Sequence, residues 1–371
     1  MTKEQNYIKN RVESLDWLRG LAALSIMLYH LYSWEVAPLY ADSLLGRFGI
    51  YAVSIFFILS GLSMAIVYSD FIKDIKTAIA FLIRRIFRIW PLLWVVTTFN
   101  FIINIKSGFS TEQIFVYIAN ITTIFGFIKP EAYISTGAWS IGNEMVYYVI
   151  TIIIIMAYRR KKLYGNILFV ASLIIGYLFA FKFLNPNMEL AKQWIIYINP
   201  FNNLFFYIGG IAIYYNLKRI DFNKYFNNIS LCVAMGLFNF IPVCGNQIFI
   251  TTSIWRVVFS ALSFIIVIGF YKLKLDMPKF IGKPFELFGI ATFGVYLIHP
   301  VVYYVIKKLI SEKLKLSGYG MMGTIMIIIS VSLITILLAL VSYYKFELRF
   351  MKYGKRYSMI SKKEKNRNLS I

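Results

Sequence analysis

The sequence predicts an all-α protein, a polytopic bundle of about ten transmembrane helices with both termini on the cytoplasmic side. Of its 371 residues, 59% are hydrophobic and 18% aromatic, and the mean hydropathy is +0.67. An ordinary soluble domain is about 45–50% apolar. The apolar residues also gather into long runs, and the cations lie in the short segments between these runs. These features are typical of a multi-pass membrane protein.

The apolar runs set the predicted spans, because a transmembrane helix needs about 20 mainly apolar residues. Ten segments approach this length: near 15–34, 48–69, 88–105, 139–158, 164–184, 200–217, 228–245, 250–271, 285–307 and 322–344. The segment 112–128 is apolar but short. We interpret it as a re-entrant or interfacial helix, because this keeps the loop charges consistent.

The charge pattern orients this bundle. Lys and Arg number 39 against 17 Asp and Glu, which gives a net charge of +22. Most basic clusters fall on one side of the predicted spans, the cytoplasmic side by the positive-inside rule. Four lysines between 307 and 315 fall on the opposite side and run against that rule. We expect residues 1–344 to form the membrane domain and residues 345–371, with nine Lys or Arg, to form a basic cytoplasmic tail. Membrane lipids are expected partners, and nucleic acid is not.

The two histidines of the chain, His30 and His299, both lie in apolar segments. Arg19 precedes His30 by eleven residues, which is about 16 Å and roughly three turns of helix. Ionisable groups within a membrane helix are costly to bury and mark functional sites by default. Histidine is also suited to move a proton at neutral pH. Alternatively, Arg19 reaches the lipid headgroups and His30 bonds a neighbouring helix.

Three arginines, Arg84, Arg85 and Arg88, precede the third predicted span. The plain interpretation is a cytoplasmic loop before a helix that begins near Pro91. The functional interpretation is an anion site, since Arg84 and Arg88 at i,i+4 could clamp phosphates. Such a site at the cytoplasmic mouth would suit a phosphorylated cytosolic cofactor.

Glu144 follows Trp139 and Ser140 at the start of the fourth predicted span and precedes an uninterrupted apolar stretch. A carboxylate in this position must be paired or protonated. We expect it to bond His30, or else to act as a helix-start acid near the dipole. In the ninth span, Pro300 should bend the helix, and His299 could fill the gap as a structural donor.

Taken in order, these motifs resemble the bacterial acyltransferase 3 family. The quoted residues are Leu15-Asp16-Trp17-Leu18-Arg19-Gly20 with His30; Phe56-Phe57 with Ser60-Gly61; Arg84, Arg85, Arg88, Ile89 and Pro91; Trp139-Ser140 with Glu144; and Tyr296-Leu297-Ile298-His299-Pro300. Each motif alone is weak, but five in this order from residue 15 to residue 300 are specific. The chain is similar to the membrane-only members, which have no appended SGNH esterase-like domain.

The resemblance implies an integral O-acyltransferase of the bacterial cytoplasmic membrane. Its donor would be a cytosolic acyl-CoA, usually acetyl-CoA, and its acceptor a hydroxyl of a cell-surface glycan or of a lipid-linked precursor. No permanently bound cofactor and no metal are expected. The implied catalytic residues are Arg19, His30 and Glu144. The arginines at 84, 85 and 88 would bind the donor, and the supporting residues would be Asp16, Trp139, Ser140, Tyr296 and His299.

Because a thioester is already activated, the chemical need is a base for the acceptor hydroxyl, and a neutral imidazole fits this role. A covalent acyl-histidine intermediate stays open as an alternative. A secondary transporter or glycan-lipid flippase would also need intramembrane ionisable groups. However, the two halves of this sequence show no matching pair of broken helices. A membrane-embedded glycan polymerase would be expected to carry a large charged external loop, and the predicted external loops are short.

Overall fold

The computed structural model describes residues 12–104, 110–275, 278–313 and 320–367. Within these ranges the protein is all-helical. The longer helices are α1 (Glu13–Glu35), α2 (Leu44–Tyr68), α3 (Ile75–Asn104), α4 (Thr111–Ile121), α5 (Ala138–Arg160), α6 (Lys162–Leu178), α7 (Pro200–Leu217), α8 (Lys224–Phe240), α9 (Ser253–Tyr271), α10 (Lys279–Lys313), α11 (Gly320–Ser342) and α12 (Leu348–Arg367). Short helical turns lie between several of them.

The predicted all-α class is confirmed for these residues, and each predicted span overlaps a helix. Among the residues that the structure describes, seven helices could cross a membrane by length and composition. They are Leu44–Tyr68, Ile75–Asn104, Ala138–Arg160, Lys162–Phe183, Ser253–Tyr271, Gly282–Ile310 and Gly320–Ser358. The predicted number of ten is not confirmed, and the side on which the termini lie stays a prediction.

The predicted spans outside these seven correspond to α1, α7 and α8. The α8 helix has only 17 residues. The other two carry polar groups, such as Asp16 and Arg19 in α1 and Asn202 in α7. Both pack against neighbouring helices, since α1 lies against α2 and α10, and α7 lies against α2 and α6. A helix surrounded by protein tolerates polar side chains that a lipid-facing helix does not.

Small residues bring the central helices close together. A Cβ on Gly61 of α2 would stand 1.9 Å from the carbonyl oxygen of Tyr207 in α7, and one on Gly210 would stand 2.1 Å from that of Ile58. Only glycine fits at such a crossing, because backbones in membrane bundles approach through small residues. This explains why glycine follows Ser60.

The α1 and α10 helices run parallel, and their contacts at both ends fix which of their residues lie side by side. Gly20 lies against Phe288 near the start of both helices. At the other end, Glu35 forms an ion pair with Lys307, with the nitrogen and oxygen 2.8 Å apart. This pairing compensates one of the four lysines that run against the positive-inside rule.

The predicted basic tail begins inside a π-helical turn, Tyr343–Glu347, and continues as α12. This helix packs along α3. The Arg84 Nε atom donates to Ser358 Oγ at 2.9 Å, and Gly354 lies against Phe87. Thus the described part of the tail packs against the bundle beside the arginine cluster.

Candidate functional site

A cavity of about 680 Å³ lies between α1, α2, α3, α5 and α10. Five charged residues line it: Asp16, Arg19, Arg85, Arg88 and Glu144. The remaining wall is largely apolar, including Phe56, Phe57, Met64 and Ile89, with Ser60, Ser63 and Ser140 among the polar groups. Ligand sites typically have volumes of about 300–1,000 Å³ with a few polar groups on apolar walls. The cavity therefore has the size and lining of a binding site.

Arg19 projects into the cavity from α1. Its guanidinium forms an ion pair with Asp16, one turn earlier, and donates a hydrogen bond to Ser63 Oγ on α2. Charge-assisted bonds of this kind hold a guanidinium in a fixed orientation. Since a guanidinium carries five N–H donors, Arg19 keeps donors for a ligand beyond these two partners.

Arg85 and Arg88 enter the cavity from α3. The Arg85 guanidinium lies 5.8 Å from the ring centre of Tyr148 and donates to Tyr68 Oη at 3.4 Å. Arg88 is paired with Glu347 and lies 5.3 Å from the ring centre of Phe293. These contacts come from α2, α5, α10 and the π-helical turn, so the two arginines join several elements at one end of the cavity.

Arg84 does not lie where the predicted phosphate clamp needs it. It stands 100° around α3 from Arg85, lies 4.2 Å from the ring centre of Phe71, and bonds Ser358 on α12. It does not line the cavity. The structure thus pairs Arg85 with Arg88 at this site, where the sequence spacing favoured Arg84 with Arg88.

Glu144 lines the cavity from α5 but does not take the partner expected for it. Its Oε1 atom accepts a hydrogen bond from Ser60 Oγ at 2.5 Å and another from Tyr148 Oη at 2.6 Å. Glu144 does not reach His30, because α5 runs antiparallel to α1 and α10. Ser140, at the start of α5, lies at the depth of Tyr296, and Glu144 follows one turn further toward Arg85.

Ser140 and Tyr296 join α5 to α10 at the far end of the cavity. Their hydroxyl oxygens are 2.9 Å apart, and Tyr296 Oη also donates to the carbonyl oxygen of Gly137 at 2.9 Å. Trp139 lies outside the lining and packs edge-on against Phe57, which does line the cavity. Two of these three supporting residues thus reach the cavity directly, and Trp139 supports its wall.

His30 on α1 and His299 on α10 form a hydrogen-bonded pair that joins the two helices. His30 Nδ1 and His299 Nε2 are 2.9 Å apart, and His299 Nδ1 is 2.9 Å from the carbonyl oxygen of Val295. A carbonyl can only accept, so His299 Nδ1 carries a proton and, in a neutral ring, its Nε2 accepts from Nδ1–H of His30. This chain of bonds leaves Nε2 of His30 as the free proton acceptor.

The histidine pair lies beyond the cavity rather than on its lining. Tyr296 lines the cavity and has its ring centre 6.4 Å from that of His299, one turn along α10. His30 stacks on Trp34, with ring centres 5.1 Å apart and planes within 5° of parallel. Arg19 therefore belongs to the cavity, and His30 belongs to a layer just past its end.

Several residues of the site were missed by sequence reasoning. Ser60 was quoted only as part of a motif and given no functional role, although its hydroxyl donates to Glu144. Glu347 was assigned to the basic tail, although its side chain is only 2% exposed and pairs with Arg88. An acid between Lys345 and Arg349, one of two acids in the basic tail, was the available signal for Glu347. Tyr148 and Ser63 carried no local signal.

The fold and this cavity define an integral membrane protein with a charged internal site. The sequence profile of the acyltransferase 3 family, described as an acyltransferase domain, matches residues 12–344, and the chain belongs to this family. It is thus a multi-pass membrane acyltransferase. The chain is also similar to ORF330 of Acidianus two-tailed virus, a protein named provisionally as an acetyltransferase. The two are 25% identical over 298 residues, which cover 78% of this chain and 83% of that protein. No solved structure matches the chain.

Proposed function

We propose that the protein moves an acyl group, in the first instance acetyl, from a cytosolic acyl-CoA to a hydroxyl of a cell-surface glycan or its lipid-linked precursor. One observation carries this proposal: a cavity with three arginines ends at Tyr296, one helical turn before His299, and His299 bonds His30 so that Nε2 of His30 can accept a proton. We place the protein in the bacterial cytoplasmic membrane, with the start of α1 facing the cytosol.

Arg19, Arg85 and Arg88 would bind the phosphates of the donor. Two acids, Asp16 and Glu144, lie on the lining beside these three cations, and a third, Glu347, pairs with Arg88 from behind the lining. The Asp16 and Glu347 carboxylates orient their arginines before the donor arrives, so less freedom is lost on binding. The apolar wall beyond the arginines suits the less polar arm of an acyl-CoA.

His30 would act as the general base from the layer just past the far end of the cavity. Its Nε2 takes the proton of the acceptor hydroxyl while the hydroxyl oxygen attacks the thioester carbonyl carbon. The carbon–sulfur bond then breaks, and the proton passes from His30 to the departing CoA thiolate. A base positioned in this way is typically worth about 10²–10⁴ in rate.

His299 would be a positioning residue for this step. Because its Nδ1 is committed to the carbonyl of Val295, its Nε2 holds the proton of His30 on Nδ1. That tautomer presents Nε2 of His30 with its lone pair free. The role expected of Glu144, to orient His30, thus passes to His299. Glu144 would instead fix Ser60 and Tyr148 beside the donor arginines.

The test is acyl transfer in membranes that contain the protein. Membranes of the protein's own host are incubated with acetyl-CoA labelled in the acetyl group, and the label is followed into base-labile esters of the glycan fraction. We expect transfer that disappears when the gene is deleted and returns with the wild-type copy. A transporter or flippase, the rival function, would leave the ester content unchanged. It would alter only the distribution of glycan between the two faces of the membrane.

A further inference from the structure

We infer that the rings of Phe56 and Tyr296 set the length of the acyl group that the protein accepts. The inference rests on the function proposed above. It concerns the end of the cavity nearest His299, where the two side chains meet with ring centres 6.4 Å apart and planes at 71°. Both line the cavity.

The two rings lie between the donor arginines and the histidine pair. Along α2, Phe56 is seven residues from Ser63, the partner of Arg19, and the same distance from Gly49, which lies against Tyr29 beside His30. Seven residues of helix span about 10 Å. Along α10, Tyr296 is one turn before His299. Any group that travels from the arginines toward His30 therefore meets Phe56 and Tyr296.

The two rings differ in how firmly they are held. Tyr296 is 8% exposed, and its hydroxyl is bonded both to Ser140 and to the carbonyl oxygen of Gly137. Phe56 has no polar atom to hold it and stays partly exposed toward the cavity. Tyr296 is thus the fixed wall, and Phe56 determines how much room is left beside it.

An acyl-CoA enters this end with its acyl group leading, because its charged phosphates stay with the arginines. The cavity ends at these two rings, so the acyl carbons come to lie against them. Each added methylene needs room that Phe56 now fills. One methylene too many in a fitted apolar pocket typically costs about 10- to 200-fold in kcat/KM.

The experiment measures kcat/KM for acetyl-, propionyl- and butyryl-CoA in membranes of the protein's own host, by transfer of acyl label to the glycan fraction. Wild type is compared with Phe56→Leu and Phe56→Ala. We expect the ratio of butyryl to acetyl transfer to rise in that order, by about tenfold or more for Phe56→Ala. A ratio for each variant does not depend on how much of that protein is folded.

Two controls separate ring size from other effects. Tyr296→Phe removes the hydroxyl bonds but keeps the ring, and it should keep the wild-type acyl preference. Phe181→Ala removes an exposed ring remote from the cavity and should change nothing. If wild type transfers acetyl but Phe56→Ala shows the wild-type ratio, the role of Phe56 is overturned and the proposed function stands. If wild type transfers no acyl group from any of the three donors, the proposed function fails and this inference fails with it.

Discussion

His299 donates from Nδ1 to the carbonyl oxygen of Val295, and its Nε2 lies 2.9 Å from Nδ1 of His30. The two rings are nearly parallel, with 16° between their planes. His299 is 1% exposed, so it has no water to replace a lost partner. The tautomer of His30 is therefore set by a side chain 269 residues away that does not line the cavity.

Replacing His299 with leucine should lower turnover without weakening donor binding. Leucine leaves the Nδ1–H group of His30 without an acceptor, which costs about 1–3 kcal/mol. Expressed fully in the barrier, this is about 5- to 150-fold in kcat. The variant His299→Asn keeps an acceptor oxygen and should retain more activity. The measurement is kcat for each variant across pH 6–8, together with the Kd for CoA. A purely structural role would instead lower the amount of folded protein and leave the pH profile of kcat unchanged.

Replacing Arg85 or Arg88 with lysine should weaken the binding of CoA by about tenfold, because a lysine cannot reproduce the planar, forked donor of arginine. Arg84→Lys is the matched control, since Arg84 lies on the same helix but outside the cavity lining. Calorimetric titration of the purified protein with CoA measures all three. Equal losses in the three variants would argue for a general charge effect rather than for a site.

Glu347→Gln should lower the thermal stability of the protein. Glu347 is buried against Arg88, and removing its charge leaves a guanidinium with about 20% exposure less well compensated. Breaking a buried ion pair from one side costs up to about 3–5 kcal/mol, and the exposure of Arg88 reduces this figure. The midpoint of thermal unfolding should fall, and the Kd for CoA should rise. The double variant Glu347→Leu, Arg88→Met should recover stability but not CoA binding.

The sequence predicted the helices and the motif residues well, because both depend on local composition. Apolar runs of about 20 residues fix where helices lie, and the cost of burying charge marks Arg19 and His30 as functional suspects. Of the expected site residues, the structure places seven on one cavity: Asp16, Arg19, Arg85, Arg88, Ser140, Glu144 and Tyr296. Ser140 and Tyr296 meet at its far end.

The pairings of these residues were harder to predict, because they depend on how distant helices align. Nothing near residue 30 indicates that α10 runs parallel to α1, so the bond between His30 and His299 was not foreseen. Nor does the sequence near Glu144 show that α5 runs antiparallel and carries that carboxylate to Ser60. Local spacing likewise favoured Arg84 over Arg85, because it does not show which face of α3 meets the cavity.

The most direct test of the central claim compares wild type with His30→Ala at matched membrane abundance. Both are given acetyl-CoA labelled in the acetyl group, and ester label in the glycan fraction is counted. We predict that transfer falls by about 10²–10⁴ in the variant while CoA still binds in the cavity, because the base is lost and the arginines remain. Undiminished transfer by the His30→Ala protein would contradict the assignment of His30 as the base.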